Sequence, residues 1–460
     1  MLTESKGQCV AETRIEFYGG LGVIGGSKIM ISTPNARVLL DLGLDIPSGA
    51  DLFRLPVGTR PGHELADYLN TGQAPELPGI YDPALLPIRG PRAGQLVDLG
   101  HPDPRPSAVF ISHAHIDHDG MIGFVRPDLA CYAHPQTAAI HQALRSAGLG
   151  PAGHPPRLWE AWPNQPLVIG DLIIELIEVD HDVPGACGFL VTTPDGRIAY
   201  TGDINTHRGS ASLGFAERAR GVDVLITETT MLSFDPLPPE PVGEAAVAEL
   251  VRCQLDPPEL QLISLYERDL VRCQAMINLA TDSARTLVWP GQQAAFLQLM
   301  GLSGVVTWDS SRPQRPEHLD AVGNATAETG PIATVGLSDV WARPESYLVQ
   351  TDSRDDAGLL DLPIGRRTRW IHSQGEPLGP FMPDWQPFVD WLDHLGIEHV
   401  EAGSSGHAGP LGLVDLVRRI DPATVYPIHG FRPEALSTLL AAGGPAIPVT
   451  VPEAGRVYSL

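Results

Sequence analysis

Apolar and polar positions alternate in short bursts at the start of the chain. Positions 14–18 and 27–32 alternate with period two, and 37–41 (RVLLD) is an apolar run ending on a carboxylate, so three strands are expected. A long Pro/Gly-rich stretch follows over 46–105, with weak helical turns such as 63–69. A connection of that length is uncommon unless it is functional, so it is expected to be a lid or a dimer surface beside the site. Position 108–112 (AVFIS) reads as a strand and 135–147 as a helix. Strands follow over 167–179, 187–193, 197–201 and 222–227. Strands with helices between them indicate a layered α/β domain.

The pattern changes at 237–244 (LPPEPVGE), which reads as a linker. Beyond it a helix (244–253), strand (260–264), helix (269–281), strand (286–289) and helix (291–300) alternate, which predicts a second, smaller parallel-sheet domain. A polar run at 352–361 closes it, and strand–helix alternation resumes from 368 to Leu460. The expected organisation is a first part over 1–241, an inserted domain over 242–361, and a last part of the first domain over 362–460.

Composition narrows the class. With 43% hydrophobic and 19% charged residues the chain is neither a disordered tail nor membrane-embedded. No apolar run is long enough to span a bilayer, and the N-terminus lacks the apolar segment of a secretory signal. The five cysteines (Cys9, Cys131, Cys187, Cys253, Cys273) form no CxxC pair, which suits a reducing, cytoplasmic compartment and argues against a cysteine zinc site. The net charge is −24, so polyanions are repelled in bulk, although one metal-neutralised site could still act on them. All but two (Lys6 and Lys28) of the 31 basic residues are arginine, in keeping with a GC-rich coding sequence.

One segment carries chemistry. His113-Ala114-His115-Ile116-Asp117-His118 follows a buried strand and places four potential metal ligands within six residues, ahead of Gly120. Imidazoles and carboxylates at that density suit zinc, manganese or iron. Single residues elsewhere follow strands: His181 after LIIELIEVD, Asp203 after RIAYTG, and His429 after TVYPI. Carboxyl ends of strands are where α/β folds place their sites.

The His113–His118 segment resembles the HxHxDH signature of the metallo-β-lactamase superfamily. Asp41, His181 and Asp203 match its other motifs, and the GGLGVIGG loop at 19–26 is similar to the opening loop of ribonuclease J-type proteins. Three further motifs resemble the β-CASP nucleases: Thr227-Glu228-Thr229, Ser405-Gly406-His407-Ala408 and Pro427-Ile428-His429-Gly430. Tyr266-Glu267-Arg268, leading into a helix, looks like that group's first step within its inserted domain. The resemblance implies an αββα sandwich with a β-CASP insertion and a two-metal phosphodiesterase, zinc first and manganese second. Its substrate would be RNA or single-stranded nucleic acid.

By the same resemblance, His113, His115 and His181 would hold one metal, and Asp117, His118 and His429 the other. Asp203 would bridge them. Two such ions acidify a shared water and clamp a phosphodiester. His407 would serve the leaving oxygen, Ser405 and Gly406 would admit a phosphate, Glu228 would tune His407, and Asp41 would orient the ligands.

Departures from ribonuclease J are the short tail after His429 and Trp289-Pro290-Gly291-Gln292-Gln293 in place of a glycine-arginine-serine step. Competing readings are a small-molecule hydrolase of a lactone, thioester or lactam, and a catalytically silent partner in a processing complex. A di-iron redox protein would need a glutamate where His115 stands. Other residues are weighed too. His372 is expected in the core or at the surface rather than in the cleft, and His134 and His141 at the surface. Trp289, Trp308 and Trp370 are expected in the core. Arg268, Arg272 and Arg285 are either a phosphate track or a solvated helix face.

Overall fold

The computed structural model describes residues 12–46, 58–87, 89–90, 92–312 and 316–460. Cys9, Lys6 and part of the 46–105 stretch lie outside them. Two sheets face each other. The first has the order Val457–Ser459, Arg14–Gly19, Lys28–Ser32, Arg37–Leu40, Ser107–Ile111, Ala130–Ala133, Leu158–Glu160. The second has the order Thr424–Ile428, Val224–Glu228, Arg197–Tyr200, Cys187–Thr192, Leu172–Glu178, Leu167–Ile169. The expected single strand over 167–179 is a hairpin, turned at Gly170, whose φ of 59° suits glycine.

Alternation decides which side chains meet between the sheets. Ile15, Phe17, Ile29, Ile31 and Phe110 from the first pack on Leu176, Phe189, Val191, Tyr200 and Ile226 from the second. The opposite face of the first sheet, with Leu39, Val109 and Ile111, is covered by Leu65, Leu69, Leu77, Tyr81 and Leu96. The described part of 46–105 is therefore the outer layer of the sandwich rather than a lid, and none of its described residues lines the cleft described below. Its apolar residues are spread among prolines and glycines, which hides their periodicity. Helices Ala211–Arg218 and Pro410–Ile420 cover the second sheet, while Pro135–Ser146 packs on Leu158–Glu160 of the first.

A third sheet is parallel throughout, in the order Ala333–Val335, Val306–Trp308, Thr286–Trp289, Tyr347–Gln350, Gln261–Leu265, Arg369–Ser373, Glu398–Glu401. It runs past the expected boundary at 361, because Arg369–Ser373 pairs directly with Gln261–Leu265 and Glu398–Glu401 forms its edge. Those strands look, in sequence, like a return to the first domain. That return comes later, with Thr424–Ile428 beside Val224–Glu228. Trp289, Trp308 and Trp370 are buried, as expected of core residues.

Candidate metal centre

The histidine-rich segment begins where the strand Ser107–Ile111 ends and a single helical turn, Ile116–Asp119, starts. Glycines let the chain close around it: a Cβ on Gly25 would lie 2.5 Å from Asp117 Cβ, and one on Gly43 would lie 1.6 Å from the Asp117 carbonyl oxygen. His181, Asp203 and His429 arrive from the ends of second-sheet strands. The structure thus gathers two buried groups, His113–His115–His181–Asp203 and Asp117–His118–Asp203–His429, which share Asp203. Asp203 Oδ2 lies 3.2 Å from His118 Nε2, 3.6 Å from His113 Nε2 and 3.8 Å from His181 Nε2. His429 Nε2 lies 3.0 Å from Asp117 Oδ2.

The donor set fits divalent cations. His113 Nε2 and both Asp203 oxygens are buried without hydrogen-bond partners, aimed at common points. Four of the five rings have a tethered remote nitrogen, which favours the tautomer that leaves the inner nitrogen free. His118 Nδ1 donates to Asp41 Oδ2 (2.7 Å), His181 Nδ1 to the Gly406 carbonyl (2.8 Å), His429 Nδ1 to Thr230 Oγ1 (2.8 Å) and His113 Nδ1 to Ser112 Oγ (2.9 Å). His115 turns Nδ1 toward His181 and Nε2 toward Asp182 Oδ1, 3.2 Å away. Asp41 is held in turn by the Ser112 amide and hydroxyl and the Tyr200 hydroxyl. Asp41 and His429 sit at positive φ (60° and 58°), strain of about 1–3 kcal/mol each that the surrounding bonds must offset.

Electrostatics follow the same plan. Burial raises the Asp203 carboxyl, but His118, His429 and His407 outweigh it and hold it well below the usual range. Burial, then neighbouring imidazoles, push His113 down, toward the neutral form a ligand needs.

His407 stands at the rim. Its Nδ1 is 3.2 Å from Glu228 Oε1 and 3.8 Å from Asp203 Oδ2, and its amide donates to Ser405 Oγ. Burial would lower its pKa, but Glu228 and Asp203 raise it to about 10. Glu228 accepts from the Thr230 amide through its other oxygen. Ser405, Gly406 and His407 line a cleft of ≈ 500 Å³ together with His115, Asp117, Asp182 and Asp203. Its far wall is apolar: Met231, Phe234, Pro238, Pro239, Leu378 and Phe381.

Several residues lie elsewhere than expected. His134 and His141 are buried, the first accepting from the Gln136 amide at a helix start, the second 2.6 Å from Asp119. Arg268, Arg272 and Arg285 are buried too and form neither a phosphate track nor a solvated face. Arg268 donates to the Ala114 carbonyl, Arg272 pairs with Glu244 and the Ser404 carbonyl, and Arg285 donates to four carbonyls. Asp182, Thr230 and Tyr200 escaped the sequence reading. Only Asp182, next to His181 at a strand end, carried a visible signal.

The arrangement of ligands at the strand ends of two facing sheets is decided by comparison with known proteins. A β-lactamase superfamily domain matches residues 81–253. The chain is 22% identical over 352 residues to ribonuclease J of Pyrococcus abyssi, 72% of this chain and 76% of that one. It is 24% identical over 369 residues to ribonuclease J of Mycolicibacterium smegmatis, 73% of this chain and 61% of that one. The chain has the metallo-β-lactamase fold and is similar to ribonuclease J. A solved protein of unknown function from Enterococcus faecalis V583 shares this metallo-β-lactamase-fold architecture along nearly its whole length. It has TM-score 0.75 and 28% identity, covering 98% of this chain and 100% of that one. No helix among the described residues is long and apolar enough to cross a membrane.

Proposed function

We propose that this chain is a metal-dependent phosphodiester hydrolase of the β-CASP type, acting on RNA or single-stranded nucleic acid. The observation that carries the reading is the union of two buried ligand groups through Asp203 with the His407–Glu228 pair at their rim. The curated relatives named ribonuclease J support it. The parallel sheet over 261–401 would be the β-CASP domain.

His113, His115 and His181 would hold one divalent cation, and Asp117, His118 and His429 the other, with Asp203 common to both. When bound, such a pair supplies Lewis-acid neutralisation of a phosphodiester and an acidified water at neutral pH. The chain's own residues do the rest. Asp41, Thr230, Ser112 and the Gly406 carbonyl hold the imidazoles in the required tautomers. His407 keeps its proton under the influence of Glu228 and presents it to the leaving oxygen as it departs, a role worth about 10²–10⁴ in rate.

A second reading has one observation in its favour. Among the described residues no lysine or arginine lines the cleft, and one wall is apolar, which suits a small ester, thioester or lactam. The deciding experiment is a cleavage assay on 5′-monophosphorylated single-stranded RNA, with metal content measured and His407→Ala as control. Metal-dependent cleavage lost in the variant is expected. No cleavage by metal-loaded protein, together with turnover of a lactone or thioester, would replace this reading by the second.

A further inference from the structure

His372, His399 and Glu401 lie on the third sheet and share no residue with the centre described above. The strands Arg369–Ser373 and Glu398–Glu401 are parallel, with His372 opposite Glu401 and Trp370 opposite His399. The period of two puts His399 and Glu401 on one face of the edge strand, beside His372 on its neighbour.

The hydrogen-bond arithmetic around His372 is unusual. Its Nε2 lies 3.0 Å from the Gly375 carbonyl and 3.1 Å from the Pro377 carbonyl. Both are acceptors, so Nε2 must carry a hydrogen. That leaves the lone pair on Nδ1, which faces Glu401 Oε2 at 2.9 Å. The other carboxylate oxygen lies 3.1 Å from His399 Nε2, a buried atom without a hydrogen-bond partner. A carboxylate facing the lone pair of His372 Nδ1 is repulsive unless positive charge sits between them, whereas His399 Nε2 can carry its ring's own hydrogen toward the carboxylate or turn a lone pair to it. The choices at His372 are a second ring proton or one cation shared by all three side chains.

We propose that His372 Nδ1, His399 Nε2 and the Glu401 carboxylate form a third divalent-cation site, of the borderline class to which zinc belongs. Two imidazoles and a carboxylate are a donor set for that class. A ligating histidine that gives its other N–H to a backbone carbonyl is the arrangement that fixes tautomer and ring direction. The rings are also preorganised: Trp370 lies 5.0 Å from each, and Trp385 lies 5.1 Å from His372 and 5.3 Å from His399. His372 is buried, while the Glu401 side chain is 59% exposed, so the site opens to solvent on one side for entry and water ligands.

The position gives the site a purpose. The carbonyls that clamp His372 belong to Gly375 and Pro377, within the segment that supplies Gln374, Leu378 and Phe381 to the cleft. Glu401 leads directly into Gly403–His407 on the cleft's other side, and the Ala402 amide donates to the His372 carbonyl. A cation here ties two cleft-lining segments together, outside the reacting centre.

The test is a metal count on chelator-stripped protein titrated with zinc alone and dialysed, without any nucleic acid. Wild type is expected to retain one equivalent more than Glu401→Gln and than His399→Ala. Asp203→Ala is expected to lose zinc at the central groups yet keep the third equivalent. Circular dichroism checks folding, and cobalt substitution in Asp203→Ala should give visible bands that Glu401→Gln, added to it, removes. Equal zinc content in wild type and Glu401→Gln, or a colourless cobalt form of folded Asp203→Ala, would leave protons as the bridging charge and overturn the proposal. Neither readout depends on whether the protein cleaves RNA.

Discussion

The floor and the far wall of one cleft are built on opposite terms. On the floor the ligand side chains are ionisable and buried, and imidazoles are tethered: His118 to Asp41, His181 to the Gly406 carbonyl, His429 to Thr230. The wall offers Phe234, Leu378, Phe381 and a run of prolines, with Phe234 and Phe381 rings 5.9 Å apart and tilted. Held dipoles and charges perform chemistry in a site that excludes water; apolar surface selects whatever lies next to the reacting group. The difference teaches where each kind of variant should act: rate on the floor, affinity on the wall.

The largest effect is expected from Asp203→Ala. Asp203 is the residue common to both ligand groups, so its loss leaves five imidazoles and Asp117 around two points with no shared anion. Bound metal at those groups and turnover should fall together to background, measured by metal analysis and product formation on one preparation. Near-wild-type rates would remove the two-metal reading of the floor.

His407→Ala comes next. His407 stands at the rim of the floor, outside both ligand groups, so metal content should hold while kcat drops about 10²–10⁴-fold. Loss of metal in this variant would instead make His407 a ligand, and the division between rim and centre would go.

How much of this was legible beforehand follows the same line between floor and wall. The floor could be read because six consecutive residues carry four potential ligands, and because His181, Asp203 and His429 each follow a strand whose apolar run is plain. The wall could not. It joins 231–242 to 374–381, segments far apart in the chain and individually no more than loop-like. Side-chain tethers also went unseen: Thr230 and Tyr200 are ordinary residues until the fold brings them to His429 and Asp41. The sheet edge at Glu398–Glu401 was misplaced for a different reason. A parallel strand's neighbour is chosen by tertiary packing, and strand periodicity is the same whichever sheet receives it. The arginines weighed as a phosphate track or a solvated helix face are buried, since carbonyls left open at strand and helix ends need donors that sequence cannot locate.

Phe381→Ala probes the wall directly. Phe381 is half-buried and lines the cleft, so its loss should leave the floor and the metal content intact. One base stacked on an aromatic ring contributes about 1–3 kcal/mol, so KM for an RNA substrate should rise roughly 5- to 150-fold while kcat stays near wild type. A fall in kcat with KM unchanged would mean that the wall shapes the transition state and that the contrast with the floor is false.

The smallest expected effect is that of salt, and it tests the comparison as a whole. Among the described residues, lysines and arginines are absent from the lining of the cleft, and the chain carries −24. Each phosphate of a single strand neutralised by a basic side chain adds a slope of about −0.7 to log affinity against log salt. Between about 50 and 200 mM salt that is about 2.6-fold per phosphate. A cleft that grips its substrate by the apolar wall and the metal floor should therefore show KM changing by roughly threefold or less over that range. A hundredfold change would require several basic contacts on a surface outside the cleft, and would shift the recognition of nucleic acid from the wall to that surface. The measurement separates recognition by stacking from recognition by charge without any substitution in the protein.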